Sequence, residues 1–290
     1  MRGASSTRKL RISPFDLRHT FESAQPLTFY ADYDSALGSV SYVGTCGLVR
    51  ATQSRNREVL EVDGTDAAMA AREVARRFRA SDDMRSIYSG IGTDWFMLDA
   101  IREYRGMRLT LSDPWETTLC FIISQYNNVA RIRRIVRNII ARFGPVVGED
   151  GMQVGRRFPT SEEMAAATHR ELLACGTGFR AKYIMSAADF CTNNMDLARL
   201  PGRKYDKLKE SLMEIDGVGD KVADCIALMG YGNMRAFPID VWVKRTVERV
   251  YFGGKDVKIP QIHEFSLDMW GGLRGYAQQY LFWHGRQMGR

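Results

Sequence analysis

The chain has 290 residues, 45% hydrophobic and 26% charged, an ordinary globular composition that excludes a disordered or fibrous protein and leaves room for two cores. Its 41 Lys and Arg against 34 Asp and Glu give a net charge of +7, compatible with a polyanionic partner. Cys46, Cys120, Cys175, Cys191 and Cys225 form no Cys-x-x-Cys pair, so they read as reduced thiols; none follows Cys225, which excludes an iron–sulfur loop near the C-terminus.

In chain order, residues 1–12 read as a flexible basic leader, dispensable for activity. The N-terminus has no apolar core and no run approaches the roughly 18 apolar residues of a membrane span. This predicts an intracellular protein without a signal peptide, in the cytoplasm and nucleoid or in the nucleus. Residues 13–105 form the first domain. From Phe15 to about Leu60, short β-leaning segments such as Val40-Ser41-Tyr42-Val43 and Glu58-Val59-Leu60-Glu61-Val62 predict an antiparallel sheet, with helical or mixed segments following to Tyr104.

Residues 106–290 predict an all-helical domain. Asp113-Pro114-Trp115-Glu116 is a helix start, with Asp as N-cap and Pro at the first helical position. Val129, Ile132, Val136 and Ile139 carry an apolar stripe toward Phe143-Gly144-Pro145, and Thr160-Ser161-Glu162-Glu163 opens another helix. Gly176-Thr177-Gly178 breaks the chain before Phe179-Arg180, predicted to lie on an exposed turn. Gln278 and Phe282, four apart, share a face of the last helix.

The span from 212 to 240 concentrates the chemistry. Leu208, Leu212 and Ile215 give one helix a buried face, Gly217 and Gly219 allow a tight turn, and Val222, Ala223 and Ile226 restart the helical period. A helix N-terminus presented by such a turn favours a phosphate oxygen. Lys221 lies one turn into the second helix with Cys225 on its face, and shielding by apolar neighbours favours a neutral, nucleophilic amine. Asp240 opens the next helix, where it serves either as a plain N-cap or as an ionised carboxylate beside the lysine. Arg131, Arg133, Arg134 and Arg137 form a basic stretch suited to a solvated face or to phosphate contacts.

Together these residues resemble the eukaryotic-type 8-oxoguanine DNA glycosylases of the helix-hairpin-helix superfamily. The resemblance runs over nearly the whole chain through Ser23-Ala24-Gln25, Asp113-Pro114, Asn127-Asn128-Val129-Ala130-Arg131-Ile132, Gly178-Phe179-Arg180-Ala181-Lys182-Tyr183, Gly217-Val218-Gly219-Asp220-Lys221-Val222-Ala223-Asp224-Cys225-Ile226, Pro238-Ile239-Asp240-Val241 and Gly275-Tyr276-Ala277-Gln278. It implies an α+β fold: an N-terminal twisted antiparallel sheet with helices, then the helical domain, with a base pocket between them. It implies a bifunctional glycosylase and AP lyase that excises 8-oxoguanine from duplex DNA, acts as a monomer and requires no cofactor. A structural monovalent or divalent cation at the hairpin is allowed.

By the same resemblance Lys221 is the nucleophile and Asp240 the catalytic carboxylate. Ala24, Cys225, Gln278 and Phe282 bind the flipped base, with Cys225 and Lys221 forming a dipole beneath it. Asn128, Arg131, Phe179, Arg180, Gly217, Gly219, Val241 and Trp242 contact DNA, Arg131 and Arg180 reading the opposite cytosine and Phe179 wedging into the stack. Three departures stand out: Tyr126 replaces the first of three consecutive asparagines, Trp242 a histidine, and Ala24 a glycine. The alternatives are a glycosylase for other damaged purines and a non-catalytic helix-hairpin-helix DNA-binding protein.

Overall fold

The structure, a computed structural model, describes residues 6–25, 27–28, 30–34, 39–43, 50–53, 59–64, 66–149 and 152–289. Cys46 and Glu58 lie outside the described residues. A five-stranded sheet comes first, built from β1 (Ser6–Arg11), β2 (Tyr30–Asp34), β3 (Ser39–Val43), β4 (Arg50–Gln53) and β5 (Val59–Gly64) in the order β1-β5-β4-β3-β2. All neighbours are antiparallel.

Three expectations need correction here. Residues 6–11, assigned to the leader, form β1, paired with β5 from Ser6↔Gly64 to Arg11↔Val59. The charges of Arg8 and Lys9 belong to an edge strand, where exposed basic residues discourage pairing with other chains. Within the region read as β-leaning lies a helix, α1 (Leu17–Glu22), because the Asp16 side chain accepts from His19 N–H at 2.8 Å and Leu17, Thr20 and Phe21 fall on one buried face. The helical region is not purely helical either: β6 (Val146–Glu149) and β7 (Met152–Arg156) form an antiparallel hairpin with an irregularity at Val147/Gly148.

The helices are α2 (Ala67–Arg77), α3 (Met84–Ile91), α4 (Trp95–Glu103), α5 (Pro114–Ser124), α6 (Val129–Phe143), α7 (Ser161–Ala165), α8 (His169–Ala174), α9 (Ala181–Asn193), α10 (Tyr205–Met213), α11 (Asp220–Met229), α12 (Val241–Tyr251), α13 (Ile259–Trp270) and α14 (Arg274–Met288). Asp66, Asp83, Asp94 and Asp113 each cap a helix by accepting two backbone N–H groups, a device worth about 1 kcal/mol apiece. No helix among the described residues is long and apolar enough to cross a membrane.

Two cores result, and they do not divide at residue 105. The smaller packs α1 and α2 on the sheet through Ile12, Phe15, Phe21, Leu60, Val74 and Phe78. The larger already includes Met84, Ile91, Phe96 and Ala100 of α3 and α4, which pack on α14 with Tyr280 and Leu281. Arg77 of α2 donates both guanidinium Nη groups to Glu116 of α5 at 3.0 Å, a buried pair linking the two. Deleting residues 6–11 should therefore lower the melting temperature by about 5 °C or more, since six strand pairings and the cover over Leu60 and Val62 are lost. Thermal melts of full-length and shortened protein check this.

Candidate active site

The hairpin forms because α10 buries Leu208 and Leu212, with Ile215 just beyond it, and the chain must then reverse within a few residues. Gly217 does this at φ 83°, a region open to glycine, and a Cβ there would lie 2.9 Å from the ring of Tyr183. Gly219 precedes α11 with extended backbone and open space where a Cβ would stand. The first N–H groups of α11 therefore face outward at an uncrowded helix start. The Gln125 side chain donates to the Gly217 carbonyl at 2.9 Å and ties the hairpin to the end of α5.

A solvent-open recess of about 410 Å³ is lined by Lys221, Cys225, Asp240, Gln278, Phe282 and Ala24 together with Ser23, Phe121, Met229, Pro238 and Gln279. Lys221 and Cys225 occupy successive turns of α11. The Lys221 Nζ stands 5.0 Å from the centroid of the Phe121 ring, a cation–π contact. Asp240 caps α12, accepting from Val243 N–H at 2.8 Å, so one oxygen orients the carboxylate. Close approach of α12 to α14 is possible only because residue 285 is glycine: a Cβ would lie 2.1 Å from Thr246 Oγ1.

Burial pushes the Cys225 thiol up to about 11, against an opposing pull from the nearby Lys221. Burial thus favours the neutral thiol beside the lysine. The Gln278 Nε2 donates to the Pro238 carbonyl at 3.0 Å, while its buried Oε1 has no partner. The bond to a carbonyl assigns the amide unambiguously, because only the NH2 end can donate. Gln279 Nε2 donates to the Ser23 carbonyl at 2.8 Å and holds the segment carrying Ala24, whose φ is 67°.

The remaining candidates lie outside the recess. Asn128 is exposed and caps α6 through Arg131 N–H at 3.0 Å. Arg131, Arg134 and Arg137 are exposed, whereas Arg133 reaches the Phe21 carbonyl at 2.8 Å and is structural. Phe179 is 52% exposed and Val241 is exposed; Trp242 is half-buried near Gly289 at the end of α14. Arg180 departs from expectation. It is 3% exposed, and its guanidinium donates to the carbonyls of Gln125, Tyr126 and Thr177, so it braces a turn. Phe121, Pro238, Gln279 and Gln125 were missed as site residues. The adjacent polar pair Gln278-Gln279 in an otherwise buried helix was the available signal for one of them.

Residues 119–270, just over half of the chain, match the family model described as HhH-GPD superfamily base excision DNA repair protein. The chain belongs to the HhH-GPD superfamily. A probable N-glycosylase/DNA lyase of Methanothermobacter thermautotrophicus is 32% identical over 205 residues, 64% of this chain and 65% of that protein. The N-glycosylase/DNA lyase of Saccharomyces cerevisiae is 36% identical over 212 residues, 61% of this chain and 56% of that protein. The match thus spans under two thirds of either relative. Among solved structures, MBOgg1 with a low-affinity DNA ligand superposes with a TM-score of 0.89 at 32% identity, covering 100% of this chain and 98% of that one. The Clostridium acetobutylicum 8-oxoguanine glycosylase/lyase, with double-stranded DNA carrying cytosine opposite 8-oxoguanine, gives 0.86 at 26% identity over 98% and 99%.

Two predictions concern this superfamily member's site. Gly217→Ala should destabilise the fold by about 2 kcal/mol or more, through its left-handed backbone and the Tyr183 ring, whereas Gly219→Ala should fold normally and bind duplex DNA more weakly. Urea unfolding beside fluorescence-anisotropy titration separates them. The second follows from the raised Cys225 thiol. Above pH 9 the unfolded chain gains by ionising a thiol that the folded chain keeps protonated up to about pH 11, so Cys225 costs stability as pH rises through this window. Compared with Cys225→Ala, the wild type should lose about 2 kcal/mol more between pH 9 and pH 11, checked by urea midpoints at stepped pH.

Proposed function

We propose that this protein is a bifunctional DNA glycosylase and AP lyase that excises 8-oxoguanine from duplex DNA, acting as a monomer. The observation that carries the reading is the convergence of an amine, a carboxylate, an aromatic ring and an unpartnered amide oxygen on one recess beside an outward-facing helix start. A DNA-binding module without chemistry has no use for that recess.

The damaged nucleotide turns out of the duplex into the recess, with Phe282 stacking on its base. Gln278 Oε1 accepts from the Watson–Crick edge, where guanine offers two adjacent N–H donors. The Ala24 carbonyl accepts the N7–H that 8-oxoguanine has and guanine lacks. The Lys221 amine attacks the sugar C1′ as the base departs, and the Asp240 carboxylate steadies the positive charge that develops on the sugar. The C1′–O4′ bond then opens as a proton passes from the nitrogen to O4′, giving a Schiff base that acidifies the C2′ hydrogen; loss of that proton to solvent expels the 3′ phosphate by β-elimination. No step needs a cofactor or a cation at the hairpin. Arg131 and the first N–H groups of α11 hold phosphates or the opposite strand.

In a single-turnover assay on 8-oxoguanine duplexes with borohydride trapping, Lys221→Gln should abolish excision and adduct while keeping duplex binding. Asp240→Asn should slow excision about a hundredfold or more at nearly unchanged stability, because asparagine caps a helix about as well as aspartate. A trapped adduct at wild-type yield from Lys221→Gln would move the chemistry to another amine.

A further inference from the structure

We propose that Tyr126 enters the base stack where the nucleotide has been extruded, so that the opposite strand is held by stacking instead of being read by hydrogen bonds at this position. The inference rests on the proposed excision from duplex DNA and adds a specificity-determining residue to it.

Tyr126 has φ 48°, one of three positive values among the described non-glycine residues. An aromatic residue adopts this left-handed backbone only under compulsion, and strain that survives in a fold points to function. The compulsion is visible. Arg180, otherwise buried, donates to the carbonyls of Gln125 and Tyr126, and Asn127 Nδ2 donates to the Ile123 carbonyl at 3.1 Å. The Gln125 bond to Gly217 registers this corner against the hairpin that carries Lys221.

All this order supports a ring that the fold itself barely uses. Tyr126 is 92% exposed, and its ring meets the exposed Phe179 edge-on, centroids 6.3 Å apart. Phe179 in turn lies over the Arg180 guanidinium at 4.5 Å. Two aromatic rings on a braced corner beside a helix start suited to phosphate fit a nucleobase stack. Stacking tolerates every base, because every base has a π-face. A tyrosine there discriminates less among opposite bases than an amide would, since an amide pairs with particular edges.

The test uses duplexes carrying an unreactive tetrahydrofuran abasic site opposite 2-aminopurine, with single-turnover excision of 8-oxoguanine opposite each of the four bases. Wild-type protein should quench the 2-aminopurine on binding; Tyr126→Ala should lose the quench and slow excision roughly tenfold or more, and Tyr126→Phe should restore both. Tyr126→Gly should lose the quench yet melt at or above the wild-type temperature, a combination a merely structural residue would not produce. Tyr126→Asn should sharpen the preference for cytosine. A Tyr126→Ala variant with wild-type quench and rate overturns the proposal, as does a wild type a hundredfold faster opposite cytosine than opposite every other base. A wild type that excises no 8-oxoguanine refutes the activity instead, and the abasic duplex still reports on Tyr126.

Discussion

Two neighbouring glutamines on α14 hold the recess together. Gln278 and Gln279 are both buried, and each donates its amide to a backbone carbonyl from a different part of the chain: Pro238 before α12 and Ser23 between α1 and β2. In a low-dielectric interior these bonds are strong, and a broken one leaves an unpaired carbonyl. The carboxylate of Asp240 and the backbone of Ala24 are thereby set against Lys221 by one helix. Gly285 completes the arrangement by letting α12 lie against that helix.

Three described non-glycine residues, Ala24, Arg79 and Tyr126, carry left-handed backbone, and two of them flank the recess and the corner before α6. Ala24 and Tyr126 both have positive φ. For alanine in place of glycine this costs roughly 1–2 kcal/mol. Gln25 offsets that locally: its Nε2 donates to the Arg108 carbonyl at 2.7 Å and its Oε1 accepts from Thr110 N–H at 3.1 Å. The turn keeps the geometry a glycine would adopt freely, so the Ala24 carbonyl keeps its direction while a methyl group is added beside the recess.

The basic surplus is divided between surface and interior. Arg131, Arg134 and Arg137 are exposed along α6, but Arg77, Arg108, Arg180 and Arg274 are buried. Arg77 is matched by Glu116, while Arg108 and Arg180 donate to backbone carbonyls. These guanidiniums serve as multivalent hydrogen-bond donors that organise turns, a role the planar five-donor group suits better than an ammonium. Counting charges therefore overstates how many arginines can touch a polyanion directly, although each still adds to the positive field.

The sequence by itself determined the local devices. The helix-hairpin-helix, the Asp113 cap, the spacing of Lys221 from Cys225 and of Gln278 from Phe282, and the position of Asp240 at a helix start all follow from periodicity and turn chemistry over a few residues. Tertiary structure decided what depends on distant partners. Residues 6–11 become a strand because β5 offers an edge, not because their own composition demands it. Arg180 was read as a surface donor because a short window shows the guanidinium but not the carbonyls of Gln125 and Tyr126 that enclose it. The thiol of Cys225 is pushed above its ordinary range because tertiary packing buries it. The free oxygen of Gln278 exists because Pro238, forty residues away, takes the other end of the amide. Sequence sets which groups are near each other along one helix; only packing decides which of their hydrogen-bonding ends remain unpaired and face a ligand.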